Sequence, residues 1–406
     1  MKIVVLGGLG YQGKAAVIDL MRSPEVAEVV CADADTNALG ALSGREGFSK
    51  VRPFRVDAAS RSELDSLLHQ GFDAAVDLLP IRFMPDAFEA AIAARVPIVS
   101  TNYAHGLHHL EDRARRLGVT LMPECGLDPG IDLVLIGDAA SRFDRLTRLD
   151  SYCGGIPERA ACNNPLNYKI SWNWEMVLAS QMRPSRFVRQ GAVLEIPADA
   201  QHESEMNHDI DFPGLGRLEA IPNGDAVAYV DRLALSGTIR DSGRYSLRWP
   251  GWRSFWSRMK KLGFLSEDPV PGLPAGISPM RFLVRHLEPR LQYGPDEKDL
   301  TPMVNVFEGE RGGRPSRLTT RLLIERDLET GLLAMNLGVG CTASIVAQMI
   351  CRGEISAPGL LSPVKDIPYG RFMAELERRG IRVQEELEWL DGPETGVPCP
   401  TPPTPR

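Results

Sequence analysis

The sequence predicts an α/β fold: a Rossmann domain with a doubly wound parallel sheet, joined to an α+β domain with a mainly antiparallel sheet. Short apolar segments alternate with helical segments from residue 2 to 122, which is typical of a doubly wound sheet. A glycine-rich turn directly follows the first apolar segment. From 145 to 332 the alternation gives way to β-rich segments separated by loops with proline and glycine, which favours an antiparallel sheet.

Each element follows from its local pattern. Apolar runs ended by turn residues predict strands at 2–6, 26–32, 51–56, 74–79, 98–100 and 120–122. Amphipathic spacing predicts helices at 14–22, 61–68, 85–94 and 107–117. A further helix is expected to follow Asp128 and Pro129 and to run to Phe143. Later strands are predicted at 147–152, 227–236, 245–247, 303–308 and 317–325, and helices at 335–352 and 369–379.

A chain of 406 residues is longer than most single domains, so two packed units are expected. Residues 1–143 are predicted to form the dinucleotide-binding domain, and 144–333 the domain for substrate binding and dimerisation. Residues 334–391 are expected to return to the first domain, because the helix at 335–352 is too apolar to lie on a surface. The proline-rich tail, 392–406, is predicted to be disordered.

Composition narrows the class of protein. A net charge of −7 argues against nucleic-acid binding, which needs a basic surface to displace counterions. No run approaches the roughly 18 apolar residues of a membrane span, so no membrane partner is expected. The seven cysteines show no CxxC pair and no zinc-type spacing with histidine, which predicts no metal and fits a reduced cytoplasm.

The glycine-rich turn contains Gly8, Gly10, Tyr11, Gln12 and Gly13, between the first strand and the first helix. Glycines at these positions permit a tight turn, close approach of a pyrophosphate and close helix–strand packing. The helix N-terminus then offers free N–H groups to the anion. The turn therefore predicts a dinucleotide site, and the alternative is a glycine-rich turn without a ligand.

Asp33 ends the second strand, twenty residues beyond Gly13, where a carboxylate accepts hydrogen bonds from the adenosine ribose. Because a carboxylate repels a 2′-phosphate and no arginine follows at once, NAD is predicted as the cofactor in preference to NADP. The alternative is that Asp33 only caps its loop. Asp57, Leu79 and Pro80 also follow strands, and on position alone they are expected to line the adenine and nicotinamide.

Lys169 is the only lysine between Lys50 and Lys260, in a cluster of asparagine and aromatic residues at 163–172. Because an ammonium can lose its proton when desolvated and a guanidinium cannot, Lys169 is a candidate base or a ligand for a substrate carboxylate. A surface lysine is the alternative. Tyr168 and Trp172 are predicted to line the substrate pocket, although aromatic residues are more often part of a core.

Asp128 borders the crevice at the end of the last Rossmann strand and is a candidate to orient a substrate amine. A helix N-cap is the competing interpretation. Arg248 is a candidate to bind a carboxylate in a bidentate manner, against the default of an exposed arginine.

Several segments together resemble the saccharopine dehydrogenase family, including its saccharopine reductase and lysine 6-dehydrogenase members. They are the glycine-rich turn, 124–132, 151–157, 164–172, 246–252, and the helix that begins near Ala334 with the residues after it. The resemblance covers roughly residues 1 to 390 and implies an NAD(P)-dependent enzyme acting on C–N bonds of amino-acid-derived amines.

The resemblance also implies site residues. Positions matching Asp128, Cys153, Gly154 and Arg248 surround the substrate in saccharopine reductase, and those matching Tyr168, Lys169 and Trp172 lie nearby. NADP-using reductases carry a Ser-Arg pair where this chain has Ala32 and Asp33, which strengthens the expectation of NAD. The segment 251–276 resembles neither member throughout.

We therefore expect hydride transfer between NAD and the carbon of an amine/imine pair, in a homodimer that acts on a small molecule. Lys169 or Asp128 is the predicted proton carrier, because burial and neighbouring groups can tune either pKa. Arg248 is the predicted partner of a substrate carboxylate. The alternative is an inactive protein of the same fold that only senses the nucleotide.

Overall fold

The structure, a computed structural model, describes residues 1–273 and 276–390. The predicted disordered tail, 392–406, lies outside these residues. Seventeen strands and twelve α-helices are found within the described part of the chain. The strands are β1 (Lys2–Leu6), β2 (Glu28–Asp33), β3 (Val51–Arg55), β4 (Ala74–Asp77), β5 (Ile98–Ser100), β6 (Thr120–Met122), β7 (Arg145–Cys153), β8 (Ile156–Pro157), β9 (Ser185–Arg189), β10 (Ala192–Ile196), β11 (His208–Phe212), β12 (Gly216–Pro222), β13 (Asp241–Arg248), β14 (Asp299–Arg311), β15 (Arg314–Glu325), β16 (Gly359–Leu360) and β17 (Gln384–Trp389).

The helices alternate with strands in the first part of the chain and are more scattered after it. They are α1 (Tyr11–Arg22), α2 (Arg61–Leu68), α3 (Met84–Ala94), α4 (Glu111–Leu117), α5 (Ile131–Arg142), α6 (Trp174–Ser180), α7 (Val227–Arg232), α8 (Trp252–Lys261), α9 (Pro279–Leu287), α10 (Ala334–Cys351), α11 (Pro363–Asp366) and α12 (Tyr369–Arg378).

The first sheet is parallel throughout and has the strand order β16-β6-β5-β4-β1-β2-β3. The order reverses between β1 and β4, and a ligand binds at such a point, beyond the carboxyl ends of the strands. Apolar residues of α1 and α10 cover one face of this sheet, and those of α2 and α3 cover the other. The predicted Rossmann fold is confirmed.

The long helix α10 returns to the first domain, as predicted from its apolar sequence. It packs so closely on α1 that a Cβ atom at Gly340 would lie 2.6 Å from the backbone oxygen of Gln12. Among the described residues, α10 is the one helix that is long and apolar enough to cross a membrane, and 78% of it is buried inside the protein. A core helix of a globular fold passes the same test of length and hydropathy.

The second sheet is mixed and contains the other ten strands, with the path β10-β9-β13-β7-β14-β15-β17. β13 and β7 pair in parallel, and the remaining pairings described for this sheet are antiparallel. The prediction of a mainly antiparallel sheet in an α+β domain is therefore confirmed.

Two local predictions differ from the structure. The segment 227–236, predicted as a strand, contains the helix α7, whose buried valine and tyrosine side chains belong to the same hydrophobic cluster as residues of α5 and β7. Strand preference of such residues depends on where they pack. In addition, β17 pairs with β15 in the second sheet, so residues 384–389 do not stay with the first domain as the range 334–391 implied.

Candidate active site

The glycine-rich turn lies at the carboxyl end of β1, beside the end of β4. Gly10 is the N-cap of α1, and its backbone N–H donates to the oxygen of Gly7 at 3.1 Å. A Cβ atom at Gly13 would lie 2.1 Å from that same oxygen, so α1 can pack against the turn only with glycine there. Tyr11 and Gln12 form the first turn of α1, whose N–H groups point toward the crevice. This geometry fits the pyrophosphate of a dinucleotide.

Asp33 holds this turn in place. Its Oδ2 accepts a hydrogen bond from the backbone N–H of Leu9 at 2.9 Å, and its Oδ1 accepts one from Asp35 at 3.4 Å. This is the loop-capping role that the sequence left open as the alternative.

Arg55 is a residue that sequence reasoning missed. It ends β3 and pairs in register with Asp33 on the adjacent parallel strand, so both side chains lie on the same face of the sheet. Its side chain is exposed at the edge of the crevice. No arginine follows Asp33 directly in the sequence. Pairing of β2 with β3 instead brings Arg55, which is 22 positions further along the chain, next to Asp33.

The residues after β4 lie against the glycine-rich turn, since a Cβ atom at Gly7 would be 2.8 Å from the oxygen of Leu78. Leu79 is half-buried and Pro80 is exposed at this point. Asp77 is buried beneath them, where its carboxylate accepts hydrogen bonds from Ser100 at 2.8 Å and from the N–H of Leu79 at 3.2 Å. Burial raises the pKa of Asp77 to about 6.

Asp57 is the predicted cofactor residue with the clearest local role. It is exposed after β3, and its Oδ1 accepts a hydrogen bond from the N–H of Ala59 at 2.9 Å. Its carboxylate therefore caps the turn that leads into α2.

Asp128 lies between β6 and α5 and forms an ion pair with Arg244 of the second domain. Arg244 also binds Asp132, with Nη2 2.7 Å from Oδ2, and its guanidinium lies 4.7 Å from the centre of the Tyr229 ring. Asp128 is not an N-cap: α5 begins at Ile131, two residues after Pro129. Sequence reasoning missed Arg244 because it is more than 100 residues away in the chain.

Arg248 ends β13 and is buried, with only 6% of its surface exposed, so the default of an exposed arginine is excluded. Its Nη1 donates to the backbone oxygen of Leu247 at 2.7 Å, and its Nε has no hydrogen-bond partner. No carboxylate within the described residues forms an ion pair with it. The guanidinium lies 5.2 Å from the Trp252 ring and 5.7 Å from the Tyr168 ring. Burial lowers the pKa of Arg248 from its ordinary value.

Lys169 is also buried, at 5% exposure, which excludes the alternative of a surface lysine. Its Nζ lies 2.5 Å from Oε2 of Glu297. Glu297 also accepts hydrogen bonds from Asn163 and from the N–H of Gly294. Because Nζ is engaged by Glu297, a role for Lys169 as a base stays a prediction.

The other predicted substrate residues lie around Arg248. Cys153 is buried at the end of β7 and interacts electrostatically with Arg248, and burial raises the pKa of its thiol. Gly154 follows it, where a Cβ atom would be 2.2 Å from the oxygen of Leu247. Tyr168 is buried, and its ring centre lies 4.9 Å from that of Trp252. Trp172 is half-buried beside Tyr168, and burial raises the pKa of the Tyr168 hydroxyl to about 12.

The predicted residues therefore form two groups, one in each domain. The glycine-rich turn, Asp33 and the residues after β4 belong to the first domain. Arg248, Cys153, Tyr168 and Lys169 belong to the second domain, and Asp128 lies between the groups. No cluster of metal-ligating side chains is found in the part of the chain that the structure describes.

Two family models match the chain and together cover most of it. The model described as the saccharopine dehydrogenase NADP binding domain matches residues 3–122, and that of the saccharopine dehydrogenase C-terminal domain matches 126–381. The chain belongs to the saccharopine dehydrogenase family. The resemblance found in the sequence is thereby confirmed.

Two curated relatives illustrate the relationship. The mitochondrial alpha-aminoadipic semialdehyde synthase of Bos taurus is 26% identical over 94% of this chain and 47% of its own length. The saccharopine dehydrogenase [NADP(+), L-glutamate-forming] of Saccharomyces cerevisiae is 24% identical, with 95% of this chain and 99% of the relative covered. The chain thus spans about half the length of the semialdehyde synthase.

Solved structures agree on the fold. The apo saccharopine dehydrogenase (L-Glu forming) from Saccharomyces cerevisiae superposes with a TM-score of 0.83 at 22% identity, covering 96% of this chain and all of that one. The homospermidine synthase of Legionella pneumophila, in complex with NAD, gives a TM-score of 0.61 at 11% identity, covering 98% and 94%.

The expected preference for NAD is wrong. The matching family model describes an NADP-binding domain, and the Saccharomyces cerevisiae and Schizosaccharomyces pombe relatives are named as NADP(+) enzymes. The prediction rested on a free Asp33 carboxylate and on the lack of a nearby arginine. In the structure the carboxylate is bound to Leu9, and Arg55 stands beside it.

Proposed function

We propose that this protein is an NADP-dependent oxidoreductase that acts on the C–N bond of an amino-acid-derived secondary amine of the saccharopine kind. The observation that carries the proposal is Arg248, a buried guanidinium of the second domain without a carboxylate partner among the described residues. A buried charge is costly unless it is paired, so this site calls for an anion. A substrate carboxylate supplies one.

The first domain holds the cofactor. The glycine-rich turn and the N-terminus of α1 accommodate the pyrophosphate, and Leu79 and Pro80 border the nicotinamide end of the crevice. Arg55 is placed to bind the adenosine 2′-phosphate beside Asp33. When bound, the nicotinamide takes a hydride from the substrate carbon or returns one to it.

The second domain holds the substrate. Arg248 binds a carboxylate through charge-assisted hydrogen bonds, and the ring of Trp252 covers the guanidinium at 5.2 Å. Cys153 and Gly154 form the wall where β7 meets β13, since glycine at 154 lets the two backbones approach closely. The bound amine then lies between this wall and Asp128.

In the oxidative direction, the carbon attached to nitrogen loses a hydride and the nitrogen loses a proton, which forms an imine. Water then adds to the imine carbon and the C–N bond breaks, giving a carbonyl product and a primary amine. We assign the proton from nitrogen to Asp128, because a carboxylate can act as a proton acceptor and this one forms an ion pair with the buried Arg244. Lys169 is the weaker candidate, because its Nζ is already engaged by Glu297.

The proposal is tested by mixing the purified protein with saccharopine and NADP, and following the absorbance of the reduced nicotinamide. Arg248→Met is expected to raise the KM for saccharopine about 10- to 100-fold, since hydrogen bonds to a charged group contribute about 1.5–3 kcal/mol. Arg285→Met, at an exposed arginine on α9, is the matched control and should leave KM unchanged.

Two results would contradict the proposal. Equal KM values for Arg248→Met and the control would show that Arg248 does not bind the substrate carboxylate. Binding of NADP without turnover of saccharopine or related secondary amines would instead favour the nucleotide-sensing alternative.

A further inference from the structure

Several buried polar atoms around Arg248 have no hydrogen-bond partner. They include Nε of Arg248 and the hydroxyl groups of Tyr168 and Tyr293. Both tyrosines interact electrostatically with the guanidinium, and with each other. Buried polar groups in folded proteins are nearly always hydrogen-bonded, so a group of such atoms at one place indicates a ligand site.

Tyr293 was not among the residues that the sequence singled out. It lies half-buried in the loop between α9 and β14, close enough to Arg248 to interact with it electrostatically. Burial raises the pKa of its hydroxyl, so the group keeps its proton at neutral pH. A protonated phenol donates a hydrogen bond, and a carboxylate has four lone-pair positions to accept from arginine and tyrosine together.

The loop of Tyr293 is held on two sides. Arg326 donates from Nη1 to the backbone oxygens of Gly294 and Glu297, each at 2.7 Å. On the other side, the carboxylate of Glu297 binds the N–H of Gly294 at 2.6 Å and Nζ of Lys169 at 2.5 Å. Lys169 also lies 5.9 Å from the centre of the Tyr293 ring. Lys169 therefore fixes this loop through Glu297.

We propose that the Tyr293 hydroxyl binds the same substrate carboxylate as Arg248, and that Lys169 is a positioning residue that holds Tyr293 in place through Glu297. The inference rests on the proposed function, because it names the groups that recognise the substrate at that site. It also gives Lys169 a role that its ion pair with Glu297 performs directly.

Tyr293→Phe removes one oxygen and keeps the ring, so it tests the hydroxyl alone. The KM for saccharopine is expected to rise about 10-fold or more, with a much smaller change in kcat. Tyr369→Phe is the control, because the Tyr369 hydroxyl donates to Glu385 at 2.6 Å, outside the crevice. An unchanged KM for Tyr293→Phe in an enzyme that turns saccharopine over would overturn this inference and leave the proposed function intact.

A binding measurement keeps the inference testable if turnover is absent. Glutamate serves as the carboxylate probe, with its affinity for the NADP-loaded protein measured by calorimetry. Tyr293→Phe and Arg248→Met are both expected to weaken its binding at least 10-fold relative to Tyr369→Phe. Equal affinities, or no binding to the unmodified protein, would overturn the inference.

The role of Lys169 is tested by a double-mutant cycle. Lys169→Met alone should raise the KM for saccharopine. Added to Tyr293→Phe, it should have little further effect on that KM. Lys169→Arg should restore KM, because an arginine can still pair with Glu297. A large loss of kcat in Lys169→Met that persists in the Tyr293→Phe background, with an altered pH profile, would instead identify Lys169 as the base.

Discussion

Arg244 and Asp132 form an ion pair inside the protein, with Nη2 2.7 Å from Oδ2 and with side chains 4% and 0% exposed. Arg244 belongs to β13 of the second domain and Asp132 to the start of α5. The pair therefore joins the two domains directly behind Asp128. Because Arg244 also forms an ion pair with Asp128, the same arginine holds both aspartates in place.

Arg244→Met is expected to lower the free energy of unfolding by about 3–5 kcal/mol, because it leaves buried carboxylates without their cation. Urea unfolding measures this change. Arg217→Met is the matched control, since Arg217 pairs with Asp209 at the surface and its side chain is 67% exposed. The control should lose less than about 1 kcal/mol. Similar losses of unfolding free energy in the two variants would mean that the buried ion pair contributes no more to stability than the surface pair.

Gly340→Ala is expected to cost about 1–3 kcal/mol of stability and to weaken NADP binding. The new Cβ would meet the backbone oxygen of Gln12 and the Cβ of Ala15, each at 2.6 Å, and α1 would have to move. Gly370→Ala, also within a helix but with open space around it, should be neutral or slightly stabilising. Thermal unfolding and NADP titration of both variants check this. If Gly340→Ala and Gly370→Ala bind NADP with equal affinity, the contact between α10 and α1 does not affect nucleotide binding.

Arg55→Ala is expected to raise the KM for NADP about 10-fold or more and to leave the KM for NAD nearly unchanged, because only NADP carries the 2′-phosphate. Steady-state kinetics with each nucleotide measures the two values. Arg52→Ala on the same strand is the control, since Arg52 forms an ion pair with Glu28 and its side chain is 60% exposed. A loss of affinity for both nucleotides alike would exclude recognition of the 2′-phosphate by Arg55.

Asp77 predicts a specific pH dependence of stability. Burial raises its pKa from 3.8 to about 6, so the folded protein binds more protons than the unfolded chain between these values. The contribution of the Asp77 carboxyl to the free energy of unfolding is therefore greatest below about pH 4, falls as the pH rises to 6, and is then constant. The total change is roughly 3 kcal/mol.

Asp77→Asn should remove this part of the pH dependence, as measured by urea unfolding from pH 4 to 7. The matched variant Asp112→Asn, whose side chain is 82% exposed, should keep the slope of the unmodified protein. Parallel curves for Asp77→Asn and the unmodified protein would show that the Asp77 carboxyl titrates normally.

The sequence was sufficient for features that depend on neighbours in the chain. Alternating apolar segments predicted the Rossmann sheet, and the spacing of Gly8, Gly10 and Gly13 located the nucleotide turn, because both patterns are local. The apolar character of α10 also predicted that it would be buried in the first domain.

Features that depend on strand pairing could not be predicted from local patterns. Arg55 reaches Asp33 only through the register of β2 and β3, and Arg244 reaches Asp128 only through the docking of β13 against the first domain. The partner of Lys169 is Glu297, 128 residues further along the chain. Charges that neutralise or orient a site residue come from such distant segments, so their identity follows from the fold and not from spacing.

The path of the chain also determines the order in which the two halves are completed during synthesis. Residues 1–143 emerge from the ribosome before the second domain, but the surface of α1 that α10 covers and the edge of β6 that β16 extends stay open until 334–360 have been made. The second domain lacks only β17 by that time. The parallel sheet is thus completed late, after most strands of the second sheet have already been made.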